Sequence, residues 1–142
     1  MAETMKQEGI RGKYFRPALW KALLTLAPPR ELVVISEMAL RKGKSRFRTP
    51  QTVHLRPLGG RPITVRPRSS DARVVLDVFV GLFHLPPADM PPPGVVWDLG
   101  TNIGLTVAHY AELYPQAQVT GLEPDPATAD AARQNLQPWG DR

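Results

Sequence analysis

The chain contains no cysteine, and this absence removes whole classes of function. Disulfides, thiolate zinc sites, iron–sulfur clusters and cysteine nucleophiles are all excluded. The three histidines, His54, His84 and His109, lie far apart and show no spacing typical of metal ligands. The sequence therefore predicts no metal site.

A long hydrophobic run is also lacking. The longest apolar run near the N-terminus, residues 18–28, contains Lys21, and it is shorter than the ~20 residues that a membrane-spanning helix needs. The first ten residues carry Glu3 and Glu8 and lead into no signal-peptide core. We therefore expect a cytoplasmic protein without a membrane span.

Proline is abundant and charge is unevenly distributed. The chain has 16 prolines in 142 residues, about twice the usual share, which favours short elements. Residues 1–68 hold 15 Lys and Arg against 4 Asp and Glu, whereas residues 69–142 hold 3 against 9. A basic half is compatible with an anionic partner. Few aromatic side chains interleave with the basic loop at residues 42–48 to stack bases, so nucleic acid is not the expected partner.

The N-terminal half reads as a helical arm followed by a hairpin. Residues 1–49 form a basic arm with helices predicted over residues 17–27 and 30–42, although Val33-Val34-Ile35 also suits a strand. Alternating residues at 52–56 and 63–66 flank Gly59-Gly60 and predict a β-hairpin.

A helix and a rigid linker follow the hairpin. Ser69-Ser70-Asp71 is typical of a helix cap, and residues 74–83 have helical periodicity. The prolines at positions 91–93 cannot continue a helix. Residues 50–93 are therefore predicted to form one region, with a domain boundary at about residue 93.

The last 49 residues carry the strongest pattern. They predict a buried strand at 95–99 with Trp97 in the core, a tight turn, and a helix from 103 to 114. A second strand at 118–122 and a helix at 126–136 follow. This order predicts two parallel strands joined by a right-handed crossover, and hence an α/β fold.

Candidate ligand-binding residues follow both strands. Gly100 allows a sharp turn and a close approach to the backbone, Gly104 allows close packing, and the following helix offers free N–H groups to an anion. Glu123 lies at the end of the second strand, where a carboxylate accepts hydrogen bonds from ribose hydroxyls in this topology.

Two kinds of nucleoside cofactor are candidates for this pattern: a nicotinamide or flavin dinucleotide, and S-adenosylmethionine. The dinucleotide fingerprint requires G-x-G-x-x-G, whereas Asn102 here stands at the second glycine and Asp98 would repel a diphosphate. S-adenosylmethionine fits better. It offers a ribose to Glu123, a carboxylate to the turn N–H groups, and an ammonium and a sulfonium to nearby carboxylates.

The segment V-V-W-D-L-G-T-N-I-G…V-T-G-L-E-P-D-P, within residues 95–126, resembles the first cofactor motifs of class I S-adenosylmethionine-dependent methyltransferases, and the FkbM type in particular. The lead-in V-R-P-R-S-S-D, ending at Asp71, resembles the same type. The resemblance implies a partial Rossmann-like fold and O-methyl transfer. It implies cofactor contacts from the following residues: Asp98, Gly100, Thr101, Asn102, Gly104, Glu123, Pro124, and Asp71 or Ser70 before them.

The resemblance stops before the sheet is complete. A class I methyltransferase has about seven strands, and residues 94–142 supply a truncated βαβα unit. We therefore expect a cofactor-binding fragment, inactive alone, from a truncated gene product or a split enzyme that a separate chain completes. Neither a catalytic residue nor the methyl acceptor is identified. The alternative function is a non-enzymatic module whose basic half binds RNA or another anionic partner.

Overall fold

A computed structural model describes residues 24–41 and 43–140 of the chain. Of the helix predicted over residues 17–27, residues 24–26 are helical, and residues 17–23 lie outside the described part together with residues 1–16. Across the described ranges, no helix is long and apolar enough to cross a membrane.

Helix α1, Pro29–Leu40, confirms the helical interpretation of the second segment and excludes the alternative strand. Pro29 stands at the first helical position, where its missing N–H is not needed. The helix buries Ile35 and Met38. Near its end, the Glu37 carboxylate accepts hydrogen bonds from Ser45 Oγ at 2.7 Å and from the Arg46 N–H at 2.9 Å, and thereby fixes the basic loop that follows.

The predicted hairpin is confirmed. Strands β1, Gln51–Leu55, and β2, Arg61–Val65, pair antiparallel with Gln51 opposite Val65. A 3₁₀ turn, Arg56–Leu58, precedes the two glycines, which both adopt positive φ. The alternation places Val53, Leu55, Ile63 and Val65 in the core.

Side chains from two helices bind the outer edges of this hairpin. On the β1 side, Glu31 of α1 accepts a hydrogen bond from the His54 N–H. On the β2 side, Asn135 accepts from the Thr64 N–H at 2.8 Å and donates to the Thr64 carbonyl at 3.2 Å. Each strand therefore has outward-facing backbone groups that pair with a helix side chain, in addition to the hydrogen bonds between the two strands.

The helix after the hairpin is shorter than predicted. Helix α2 spans Asp71–Leu76 and continues as a π-helical turn, Asp77–Gly81, which ends at Leu82 with φ of 53°. Of the residues predicted as a cap, Ser70 makes no side-chain hydrogen bond to a helix N–H in the described chain. Instead, Ser69 Oγ accepts from the Asp71 N–H at 3.1 Å.

The last segment forms the predicted strand–helix–strand–helix unit. Strands β3, Val95–Leu99, and β4, Gln118–Leu122, are parallel, with Val95 opposite Gln118. Helix α3, Leu105–Leu113, connects them, and helix α4, Pro126–Leu136, follows β4 before a short 3₁₀ turn, Gln137–Trp139. The described chain is thus a mixed α/β structure with a small parallel sheet, consistent with part of a methyltransferase fold.

The buried environment predicted for the first of these strands is wrong. Trp97 is 64% exposed, and Val95 and Leu99 on the same face are 58% and 75% exposed. Helix α3 packs on the other face, where Val107 and Tyr110 cluster with Val119. A short apolar run identifies a strand without indicating which of its faces is covered.

One hydrophobic cluster crosses the boundary that the prolines predict at residue 93. It joins Ile35 of α1, Val53 of the hairpin and Val75 of α2 to Leu105 and Trp139 from the last segment. The side chains before and after the proline-rich linker therefore share a core.

Candidate functional site at the ends of the parallel strands

Three residues with positive φ form the turn between β3 and α3. Gly100, Asn102 and Gly104 have φ of 83°, 50° and 87°. Asparagine tolerates this left-handed region better than most residues, and the Asn102 side chain folds back so that Oδ1 accepts from the Ile103 N–H at 2.9 Å. An asparagine at this position therefore adopts the left-handed conformation that glycine adopts freely.

Glu123 connects the two strand ends. Its Oε2 accepts from the Asn102 N–H at 2.9 Å, and its Oε1 accepts from the Asp125 N–H at 3.0 Å. The side chain is half-buried, and Pro124 next to it is exposed. The carboxylate thus lies directly beside the turn, as the spacing of the two motifs predicts.

Asp98 and Thr101 form the inner side of the turn. Thr101 Oγ1 donates to Asp98 Oδ2 at 2.7 Å, and Thr101 is buried. A Cβ atom on Gly121 would lie 2.7 Å from Thr101 Oγ1, so the glycine of β4 makes room for this hydroxyl. The threonine therefore orients the carboxylate and packs against the neighbouring strand.

The first and last glycines of the turn have different surroundings. A Cβ atom on Gly104 would lie 2.9 Å from Leu136 Cγ, which confirms the close packing predicted at the start of α3. A Cβ atom on Gly100 would meet nothing within 4 Å. Gly100 thus faces open space, where a ligand can approach the backbone.

Asp71 has a different environment from the other candidates. It is fully buried, and its carboxylate accepts from Arg66 Nε at 2.9 Å, from Arg66 Nη2 at 3.0 Å and from the Arg66 N–H at 2.8 Å. A carboxylate occupied in this way is unsuited to hold a ligand. The structure gives Asp71 a supporting position, whereas Ser70 before it is exposed.

Arg66 links this ion pair to the strand ends. It donates to the Ala127 carbonyl and to Thr128 Oγ1 at the start of α4, both at 3.3 Å. Hydrogen bonding to Asp71 raises the pKa of Arg66, and the negative charges of Asp125 and Glu123 add to that rise. The arginine therefore holds the hairpin and α2 against the loop that carries Glu123.

Asp125 caps helix α4. Its Oδ2 accepts from the Thr128 N–H at 2.8 Å, and hydrogen bonds from Thr128 lower the pKa of the carboxyl. An Asp N-cap with Pro126 at the first helical position is a strong helix start. The loop between Glu123 and α4 is thus fixed at both ends.

A histidine pair that the sequence did not predict joins α3 to the segment after the π-helical turn. His84 Nε2 is 2.8 Å from His109 Nδ1, and Tyr110 Oη donates to the His84 carbonyl. Burial lowers the pKa of His109 to about 4, with a smaller contribution from His84. Burial also lowers the pKa of His84, against an opposing effect of Asp98. Twenty-five residues separate the two histidines, so no local pattern indicates their contact.

The residues at the strand ends fit a nucleoside cofactor with a cationic tail. Glu123 offers acceptors for ribose hydroxyls, Asp98 offers a carboxylate for an ammonium group, and Gly100 leaves its backbone accessible. A groove of about 450 Å³ also adjoins β4 between α3 and α4, with Thr101, Gly121 and Glu123 in its lining.

Comparisons with known proteins give a short similarity to curated proteins. No protein-family model matches the chain, and no solved structure matches it. Two curated proteins from strains of Porphyromonas gingivalis, both named tRNA1(Val) (adenine(37)-N6)-methyltransferase, are 45% identical to it over 47 residues. The matched stretch covers 32% of this chain and 18% of each relative. This short similarity supports a relationship between the chain and methyltransferases.

Proposed function

We propose that the chain forms the S-adenosylmethionine-binding part of a methyltransferase of the FkbM type, with a Rossmann-like sheet and oxygen as the acceptor atom. One observation carries the proposal: Glu123 Oε2 accepts from the Asn102 N–H at 2.9 Å. This bond places a carboxylate against a glycine-containing turn at the carboxyl ends of parallel strands, where open α/β sheets bind ligands. The motif resemblance supports the choice of the FkbM type.

In this proposal Glu123 binds the ribose. Each oxygen of an ionised carboxylate can accept more than one hydrogen bond, so the backbone donors at Asn102 and Asp125 leave acceptor capacity for the two hydroxyls. The same backbone bonds hold the carboxylate in one orientation before a ligand arrives. Binding therefore loses little side-chain entropy at this position.

Asp98 and Gly100 bind the methionine end. The Thr101 hydroxyl occupies Asp98 Oδ2 and leaves Oδ1 for a ligand ammonium group. When bound, S-adenosylmethionine supplies a methyl group on a sulfonium, and transfer depends mainly on positioning of the acceptor. The contribution of this chain is to fix the cofactor in place.

The acceptor has a second candidate. The relatives are named for methylation of an adenine nitrogen in tRNA. A base nitrogen of a nucleic acid is therefore the alternative to oxygen as the acceptor atom. Analysis of the methylated product would distinguish an N-methyl from an O-methyl group.

Calorimetric titration with S-adenosylmethionine tests the cofactor site on the full chain. Glu123→Gln keeps the shape of the side chain but loses the charge and half of the acceptor capacity, so we expect at least tenfold weaker binding. Asp130→Asn is the matched control, because Asp130 lies exposed on α4 and pairs with Arg133. We expect the control to bind like the unaltered chain.

The titration decides the proposal in both directions. Equal affinities for Glu123→Gln and Asp130→Asn would refute the ribose assignment, and no binding by the unaltered chain at millimolar cofactor would refute the site. Circular dichroism of each variant shows whether a loss of binding reflects a loss of fold.

A further inference from the structure

A basic concavity lies at the open end of the hairpin. It encloses about 340 Å³, and its polar lining consists of Arg68, Ser69, Ser70 and Arg73, with Gly43 and two residues of α1 on the opposite side. Ser69 Oγ already donates to the Arg66 carbonyl at 2.8 Å and Arg73 pairs with Asp77, so the Arg68 guanidinium is the donor in this lining that best suits an oxyanion.

The chain around this concavity has no acidic residue over a long stretch. Residues 38–70 contain nine Lys and Arg and no Asp or Glu. Carboxylates from other segments pair with Arg41, Arg61 and Arg66. No described carboxylate forms a salt bridge with Lys44, Arg48 or Arg68, so a net positive charge is left at this surface.

The register of the hairpin collects these cations at one end. Because Gln51 lies opposite Val65, the residues before β1 and those after β2 leave the ladder on the same side. Arg48 precedes β1 by three residues, and Arg68 follows β2 by three residues. The loop before β1 is also fixed, since Ser45 bonds to Glu37.

Arg68 has a strained backbone. Its φ is 61°, in the left-handed region that costs an ordinary residue energy and that glycine adopts freely. A cationic side chain at such a position is an unfavourable choice for stability alone. Strain of this kind is concentrated at functional sites.

One residue connects Arg68 along the chain to the proposed cofactor site. Arg66, two positions before Arg68, contacts the start of α4 and is attracted by the charges of Glu123 and Asp125. We propose that this basic concavity binds a phosphate group of the methyl acceptor, with Arg68 as its main ligand. The inference rests on the proposed function only in identifying the bound molecule as the acceptor.

Phosphate groups have two sources here, and two probes distinguish them. Inorganic pyrophosphate, titrated by calorimetry, represents a small phosphorylated acceptor. A fluorescently labelled RNA hairpin, followed by anisotropy from 50 to 300 mM salt, represents a nucleic acid. Binding to RNA is expected to weaken steeply with salt, and each removed phosphate contact lowers the slope by about one.

Arg68→Gly is the decisive variant. It removes the proposed ligand and relieves the left-handed strain, so we expect at least fivefold weaker binding of whichever probe binds, together with a Tm that does not fall. Arg30→Ala is the matched control, because Arg30 is an exposed cation on α1 and the charge change is the same. The control is expected to retain binding.

The inference is overturned if neither probe binds the unaltered chain at 50 mM salt, or if Arg68→Gly and Arg30→Ala weaken binding equally. Its failure is distinguishable from failure of the proposed function. Arg68→Gly is expected to bind S-adenosylmethionine normally, and Glu123→Gln is expected to bind the phosphate probe normally.

Discussion

At the scale of single residues, the amide of Asn135 connects three parts of the fold. It is buried, and its three hydrogen bonds satisfy the Thr64 N–H, the Thr64 carbonyl and the Ile103 carbonyl. The same side chain therefore joins α4, the hairpin and the turn before α3. No pattern in the sequence marks it, because its partners lie 71 and 32 residues away.

Replacement of Asn135 by alanine is expected to lower the free energy of unfolding by about 2–3 kcal/mol, because three backbone groups lose their partner. Urea denaturation measures the change. Gln134→Ala is the control, since the neighbouring amide is exposed and such substitutions usually stay within about 0.5 kcal/mol. Similar losses in both variants would show that the Asn135 contacts contribute little.

Residue types predicted the turn between β3 and α3 better than the ion pair of Asp71 and Arg66 near it. Asp98, Gly100, Asn102 and Glu123 could be found from the sequence, because glycines and carboxylates at the ends of adjacent strands form a local pattern. The burial of Asp71 against Arg66 could not, since an aspartate before a helix suits a ligand, a cap or an ion pair equally well.

At the scale of elements, period and turn chemistry predicted the hairpin, α1 and the β3–α3–β4–α4 order. They did not predict the π-helical turn after Leu76. Apolar residues continue through that turn at nearly helical spacing, and within it Phe79 contacts His109 of α3. Periodicity alone cannot register the change to π-helical hydrogen bonding.

The contact between that turn and α3 predicts a pH dependence of stability. Because the folded pKa of His109 is about 4 and the unfolded value is about 6.5, the unfolded chain binds the proton more tightly. The contribution of neutral His109 to the free energy of unfolding is full above pH 6.5 and is lost as the pH falls toward 4. Between pH 7 and pH 5 we expect the free energy of unfolding to fall by about 2 kcal/mol.

The variant His109→Gln isolates this effect. It removes the titrating ring, so the free energy of unfolding measured in urea should vary less between pH 7 and pH 5 than in the unaltered chain. His54→Gln is the control, because His54 is exposed on β1 and pairs with Glu31. The same pH slope in the chain with and without His109 would contradict the assignment.

At the scale of the whole molecule, the parallel sheet is covered on one face and exposed on the other. The apolar run at β3 predicted a strand between two layers, whereas the described chain provides α3 and α4 on one side and leaves Val95, Trp97 and Leu99 accessible. Exposed apolar patches of this kind promote association. A separate chain that completes the sheet, expected from the sequence, stays a proposal.

This face predicts self-association. We expect the purified chain to form dimers or larger species at tens of micromolar in sedimentation velocity, and Trp97→Lys to shift it toward the monomer. Phe83→Lys is the control, because Phe83 is 81% exposed and lies outside the sheet. A monomeric unaltered chain, or an equal effect of both substitutions, would show that the sheet face is not the contact.

The paired outer edges of the hairpin have a consequence for how the molecule can aggregate. Unpaired strand edges act as templates on which other chains add strands. Glu31 and Asn135 occupy edge groups of β1 and β2 with side chains from two helices. Growth of an intermolecular β-sheet is therefore hindered at the hairpin and favoured at β3 and β4, so the segment that holds the turn between β3 and α3 is also where misassembly would begin.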